Sequence, residues 1–133
     1  MAFELAEGDN VFDWIIVPVG NARNISAIWK GFKELRAIGL ISKLPKMAGV
    51  QAEGAAPLAE AFERGLSAPN FIDHPETIVT AIRIGKPVNL FKAVKPISES
   101  KGFFIKVSDR KILDAIKYAA RKKYVVGLLE LQA

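Results

Sequence analysis

Between Trp14 and Leu35 the chain reads WIIVPV (14–19), GNARN (20–24) and ISAIWKGFKEL (25–35). The first segment is short, apolar and rich in Val and Ile, which is typical of a strand buried on both faces of a sheet. The last segment has apolar residues at the spacing of one helix face, at Ile25, Ile28, Trp29, Phe32 and Leu35. A strand, a tight turn and a helix form half of a βαβ unit, so this stretch predicts an α/β fold.

The turn at 20–24 has the chemistry of an anion cradle. The first backbone N–H groups of a helix have no partner within the helix, and the helix dipole adds partial positive charge there. Gly20 allows a sharp turn and the close approach of a ligand, while Asn21 and Asn24 offer side-chain amides. The same pattern also fits a plain turn in which Asn24 is the N-cap. The candidate binding residues for phosphate or another small anion are Gly20, Asn21, Ala22, Arg23 and Asn24.

Apolar runs and helix-face patterns alternate along the rest of the chain. Strands are predicted at Trp14–Val19, Lys46–Gln51, Gly102–Val107 and Tyr124–Leu131, and the end of the last also fits a helix. Helices are predicted at Phe3–Glu7, Ile25–Ile38, Pro57–Gly65, Asn89–Ser100 and after a capping Ser108. Right-handed crossovers place helices on both faces of a parallel sheet, which predicts a three-layer αβα arrangement with a mostly parallel sheet.

Particular residues refine these helix predictions. Gly39 is a stop signal for the helix that begins at Ile25. Pro96 should shorten or kink the helix at 89–100. The run Thr77–Ile84 fits a strand or a helical turn, and its periodicity does not decide between them. The helix after Ser108 is expected to bury one face, formed by Ile112, Leu113, Ile116 and Ala120.

Length and composition indicate one globular domain. The 133 residues are half hydrophobic and one quarter charged, without a cysteine. No apolar run is long enough to cross a membrane, and the start lacks the basic flank and apolar core of a secretion signal. We therefore expect a cytoplasmic protein without disulfides, thiol nucleophiles or thiolate metal sites.

Charge and histidine content exclude several other classes of function. The net charge is +5, but the basic residues are scattered, and the one cluster, at 121–123, closes a predicted helix. We therefore expect no nucleic-acid partner. His74, the only histidine, has no partners at ligand spacing, so no metal site is predicted. No arrangement of Ser, His and Asp indicates a nucleophilic triad.

Four ordered segments carry a family resemblance. They are VPVGNARNISAIWKGF (17–32), GVQAEGAAP (49–57), TAIRIG (80–85) and VSD (107–109). Together they resemble threonine synthase, a pyridoxal-phosphate enzyme of the tryptophan-synthase β-like fold, over nearly the whole chain up to about residue 122. The resemblance implies that Gly20–Asn24 match the loop that holds the cofactor phosphate. It also implies the family reaction, in which O-phosphohomoserine and water give threonine and phosphate.

The departures from this family are as informative as the matches. Threonine synthases are longer, and their cofactor lysine lies in a Ser-Phe-Lys-Asp type of motif that no lysine here shares. The late hydroxyl residue that follows Glu-Pro-Ala-Ser in the family is also missing. Arg23 stands where the family usually has glycine, so its backbone is either strained or relaxed into an ordinary conformation. Its side chain adds charge to the cradle, blocks it or simply points to solvent. No catalytic residue is therefore assigned to this chain.

These departures predict a truncated domain that is inactive alone and binds at most a cofactor phosphate. In the family this region packs against residues that are absent here, so apolar surface should be exposed. A homodimer or higher oligomer is the expected outcome. The alternative is a non-catalytic structural or designed α/β module that self-associates.

Overall fold

The computed structural model describes residues 1–6 and 12–122. Its strands are β1 (Trp14–Pro18), β2 (Lys46–Ala52) and β3 (Phe103–Val107). Its α-helices are α1 (Ala2–Leu5), α2 (Arg23–Ala37), α3 (Pro57–Glu63), α4 (Leu90–Ser100) and α5 (Asp109–Arg121). Short 3-10 turns lie at Glu53–Ala55 and Thr80–Ile82. None of the helices in this part of the chain is long and apolar enough to cross a membrane.

The three strands form one parallel sheet in the order β1-β2-β3. Val17 pairs with Gly49, which pairs with Phe104 on the other side. The sheet confirms the predicted α/β class, and each of its strands lies within one residue of a predicted strand. The predicted strand Tyr124–Leu131 lies outside the described residues.

The expectation that β1 is buried on both faces was wrong. Its residues alternate between exposed and buried, with Ile15 and Val17 inside and Trp14 and Ile16 outside. The reason is that packed helices cover only one face of the described sheet. An apolar run therefore does not show whether one face or both faces of a strand are buried.

The hydrophobic core lies under one face of the sheet. Helices α2, α3 and α4 all contribute to it, and Phe32 and Ile25 of α2 are fully buried. The sheet contributes Ile15, Val17, Met47 and Phe104. The buried cluster therefore joins one helical layer to the sheet in the described part of the chain.

The opposite face of the sheet keeps its apolar side chains exposed. Trp14, Ile16, Phe103 and Ile105 all lie on it by register, and Ile16 has 69% of its surface exposed. The rings of Trp14 and Phe103 contact each other across the sheet, with centroids 5.4 Å apart. We call these four residues the open sheet face.

The helix signals at Gly39 and Ser108 are confirmed. Helix α2 stops before Gly39, whose φ of +78° is the left-handed conformation that favours glycine. The Ser108 hydroxyl accepts a hydrogen bond from the Lys111 N–H at 3.5 Å and caps α5. The segment Thr77–Ile84 is neither a regular strand nor an α-helix and contains the 3-10 turn at 80–82.

The predicted buried face of α5 was wrong. None of its residues is buried, and Leu113 and Ala120 are exposed. The pattern of apolar residues predicted an amphipathic helix correctly, but it does not specify what covers the apolar side.

Pro96 does not shorten α4, which runs through it from Leu90 to Ser100. A proline has no N–H, so the carbonyl four residues earlier, that of Lys92, loses its helical partner. The Ser26 hydroxyl of α2 approaches this carbonyl oxygen to 2.7 Å and can donate to it. A side chain of α2 can therefore serve the carbonyl group that Pro96 leaves without a helical partner.

Candidate functional site

The loop after β1 turns at Ala22. This residue has a φ of +65°, in the left-handed region, and α2 begins directly after it at Arg23. Asn24 therefore lies inside the first turn, and the expectation that it is the N-cap was wrong. Arg23 itself has helical geometry, so the unusual conformation falls on its neighbour and not on the residue that replaces glycine.

Gly20 is closely packed against the segment 81–84. A Cβ atom placed on Gly20 would lie 2.9 Å from Cδ1 of Ile84 and 3.1 Å from the carbonyl oxygen of Ala81. Gly20 has no positive φ, so its role is to let the segment 81–84 approach the loop. The sharp turn that the sequence predicts for Gly20 falls instead on Ala22.

All five predicted binding residues line one cavity between the loop and the segment 81–84. The cavity has a volume of about 320 Å³. Its walls are formed by Pro18, Gly20, Asn21, Ala22, Arg23, Asn24, Ala81, Ile82 and Ile84. No carboxylate is among these residues, so the cavity carries no charge that would repel an anion.

The electrostatics of the loop favour an anion. Helix α2 has no side-chain cap on its first N–H groups and no acidic residue in its first turn. The partial positive charge of the helix start is therefore uncompensated. Arg23 is exposed and forms no ion pair with any residue in 1–6 or 12–122, so its guanidinium is available beside the cavity.

The sequence analysis did not predict that the segment 81–84 forms part of this site. Sequence spacing does not bring it near the loop, because 56 or more residues separate the two segments in the sequence. The only signal was the TAIRIG match at 80–85, which belongs to the same ordered resemblance as the loop itself.

Residues 1–129 match a family described as pyridoxal-phosphate dependent enzyme. The chain belongs to this family. It is 52% identical over 125 residues to a threonine synthase from Methanocaldococcus jannaschii, an alignment that covers 92% of the chain and 31% of the relative. It is 51% identical over 105 residues to a threonine synthase from Mycobacterium tuberculosis, covering 79% of the chain and 27% of the relative. The chain thus spans less than a third of the length of these relatives.

Two solved structures share the fold of this chain. A processed form of threonine deaminase isoform 2 from Solanum lycopersicum superposes with a TM-score of 0.71 at 18% identity, covering 94% of the chain and 32% of the other protein. A second threonine deaminase, from T.th., gives a TM-score of 0.63 at 20% identity, covering 86% of the chain and 39% of the other protein. At these identities the likeness concerns the fold.

The cavity of this family member fits the phosphate end of the cofactor. Uncapped N–H groups, an exposed arginine and the absence of carboxylates suit a phosphate dianion. No group of three or more His, Cys, Asp and Glu residues within the described ranges is arranged to hold a metal ion.

A second, polar cleft lies where β2 and β3 end. Its walls are formed by Glu53, Gly54, Glu76, Thr77, Ile78, Arg83 and Asp109. Asp109 accepts hydrogen bonds from the Thr77 hydroxyl at 2.6 Å and from the Ile78 N–H at 3.0 Å, and so fixes the connecting segment to the start of α5. Both cleft and cavity lie at the carboxyl edge of the sheet, where α/β folds bind ligands.

Proposed function

We propose that this chain is the cofactor-phosphate-binding part of a threonine-synthase-like enzyme. The observation that carries the proposal is the single cavity that gathers Gly20, Asn21, Ala22, Arg23 and Asn24 at an uncapped helix start. The backbone N–H groups of α2 and the Arg23 guanidinium would hold the phosphate of pyridoxal phosphate. When bound, this cofactor supplies an electron sink for reactions at amino-acid carbon atoms.

The experiment compares pyridoxal phosphate with pyridoxal, which lacks the phosphate. We expect calorimetry to detect binding of the phosphorylated compound only, and inorganic phosphate should compete with it. Arg23→Gln should weaken phosphate binding by up to about fivefold, the effect of an exposed charge. Arg36→Gln removes an equal charge from the exposed last turn of α2 and is the matched control. Equal binding of both compounds would contradict the proposal.

Catalysis by this chain alone is not part of the proposal. None of its lysines lies in the Ser-Phe-Lys-Asp setting of the family, so the covalent attachment point of the cofactor is missing from the sequence. We expect the purified chain to form no threonine from O-phosphohomoserine, with or without added cofactor. Threonine formation above the level of a heat-denatured control would overturn this expectation.

The second candidate function is a cytoplasmic structural module that associates with itself. The open sheet face favours it, because Trp14, Ile16, Phe103 and Ile105 form an apolar surface that a partner would cover. The two candidate functions differ in whether an anion must bind. A structural module needs no bound anion, whereas the first proposal is contradicted if the chain binds no phosphate.

A further inference from the structure

Gln51 joins two strand-to-helix turns through one buried side-chain amide. It lies near the end of β2 and is fully buried. Its Nε2 donates to the carbonyl oxygen of Val19 at 3.2 Å. Its Oε1 accepts from the backbone N–H groups of Leu58 at 2.9 Å and Ala59 at 3.0 Å.

The bond to Val19 fixes the residue from which the candidate loop departs. Val19 directly precedes Gly20, and its N–H donates to the carbonyl oxygen of Val50 at 2.8 Å. Both backbone polar groups of Val19 are therefore held by β2. Val19 is only 1% exposed, so water cannot replace the donor on its carbonyl oxygen if the Gln51 amide is lost.

The two bonds to α3 make Gln51 a cap for that helix. Leu58 and Ala59 lie in its first turn, and Ala56, at the N-cap position, provides no side-chain hydrogen bond. A glutamine is needed because the position requires an acceptor for two N–H groups and a donor for one carbonyl. An ionised carboxylate cannot donate, and a hydrocarbon can do neither.

We infer that Gln51 is a positioning residue of the anion site, since it sets the direction in which the 20–24 loop leaves the sheet. This inference rests on the proposed binding of phosphate at that loop. Loss of the amide releases the Val19 carbonyl, so the loop that follows can leave the sheet in a different direction. Phosphate affinity depends on how precisely the loop and the start of α2 are held.

The test uses Gln51→Met and Gln51→Glu with Ser100→Ala as the matched control. Gln51→Met keeps the length of the side chain and removes all three bonds. Gln51→Glu keeps an acceptor for α3 and, when ionised, removes the donor to Val19. Ser100 accepts a hydrogen bond from the Met47 N–H at 3.0 Å, so Ser100→Ala removes a side-chain contact at the opposite end of β2.

Two measurements separate positioning from a loss of stability. Amide NMR signals of residues 20–24 should shift in both Gln51 variants, and the Kd for inorganic phosphate should rise by about tenfold. Ser100→Ala should lower the melting temperature and leave the signals and the phosphate Kd unchanged. If Gln51→Met does not fold, Gln51→Glu carries the same test.

Unchanged loop signals and an unchanged phosphate Kd in a folded Gln51 variant would overturn the inference, as would equal changes in Ser100→Ala. If the unmodified chain binds no phosphate, the proposed function fails. The loop signals of the variants then still decide whether Gln51 positions the loop.

Discussion

Ala22 carries the conformational strain of the candidate site. A residue with a Cβ atom in the left-handed region costs about 1–2 kcal/mol, and Ala22 has a φ of +65°. Its methyl group is nevertheless buried in the core. Strain and burial therefore oppose each other at this position.

We predict that Ala22→Gly is close to neutral for stability. Removing a buried methyl group and adding backbone freedom together cost about 1.5 kcal/mol, and release of the left-handed strain offsets most of that cost. Ala93→Gly is the control, because Ala93 is buried inside α4 in ordinary helical geometry. This substitution should lower the free energy of unfolding by the full cost, since it releases no strain. Urea unfolding measures both, and equal losses in the two variants would show that Ala22 is unstrained.

Glu99 links α4 to α2 through its carboxylate. Its Oε2 accepts hydrogen bonds from the Trp29 indole N–H at 2.6 Å and from the Lys33 ammonium at 2.9 Å. The bond from Trp29, followed by the bond from Lys33, holds the pKa of Glu99 below its usual value. A lowered pKa means that the carboxylate stabilises the folded state above its ordinary pKa, and that this contribution is lost as the pH falls.

We therefore predict that Glu99→Gln destabilises the protein at pH 7 and much less at about pH 3, below the ordinary pKa of glutamate. Urea unfolding at both pH values measures the difference. Glu34→Gln, at an exposed position of α2, is the control and should change stability little. A loss in Glu99→Gln that is the same at both pH values would contradict the assigned role of the carboxylate.

The sequence indicated five residues that line one cavity but not the conformational role of each. Residue types at a strand-to-helix turn predicted the five residues that line the cavity. They could not assign the left-handed position to Ala22, because statistics favour Gly and Asn there and both occur in the loop. The role of Gln51 was also missed, because its three partners come from segments that only the folded sheet brings together.

The Ser26 hydroxyl connects helix α2 to helix α4 beside Pro96. Ser26 lies near the start of α2 and its hydroxyl oxygen is 2.7 Å from the carbonyl oxygens of both Ala22 and Lys92. One hydroxyl hydrogen serves one acceptor at a time. The Lys92 carbonyl competes for it because Pro96 cannot supply an N–H.

We predict that the stability cost of Ser26→Ala is smaller in a Pro96→Ala background. In that background the new N–H at position 96 can bond to Lys92, so the hydroxyl is no longer needed there. The expected coupling is about 0.5–1 kcal/mol in a double-mutant cycle measured by urea unfolding. Additive effects of the two substitutions would show that the hydroxyl does not compensate for the proline.

Strands and helices differ in how well local patterns specified them. Strands β1 and β3 were found because runs rich in β-branched and aromatic residues are bounded by turn residues. The continuation of α4 through Pro96 was not found, because the compensating hydroxyl comes from a helix more than 60 residues earlier. For α5 the pattern predicted the helix and its N-cap, but it could not predict whether other residues would bury its apolar side.

The whole described fold is one-sided, with a core under one face of the sheet and the open sheet face on the other. Sequence composition alone could not indicate this, since an apolar strand has the same pattern whether its second face is covered within the chain or by a partner.

We predict that the chain forms a homodimer or higher oligomer through the open sheet face. Burial of the exposed side chains would supply the association energy. Ile16→Glu should shift the mass measured by light scattering to that of a monomer. Phe91→Glu, at an 85% exposed position of α4, is the control and should leave the mass unchanged. A monomer at high concentration in the unmodified chain would contradict the prediction.

The central claim is that the loop 20–24 is an anion site at the start of α2. An amide NMR titration with inorganic phosphate tests it most directly, because it reports each N–H of the loop separately. We predict saturable shifts confined to residues 20–25 and to the facing segment 81–84, with no comparable change on the open sheet face. Absence of saturable shifts at the loop, or shifts spread evenly over the basic surface, would contradict the claim.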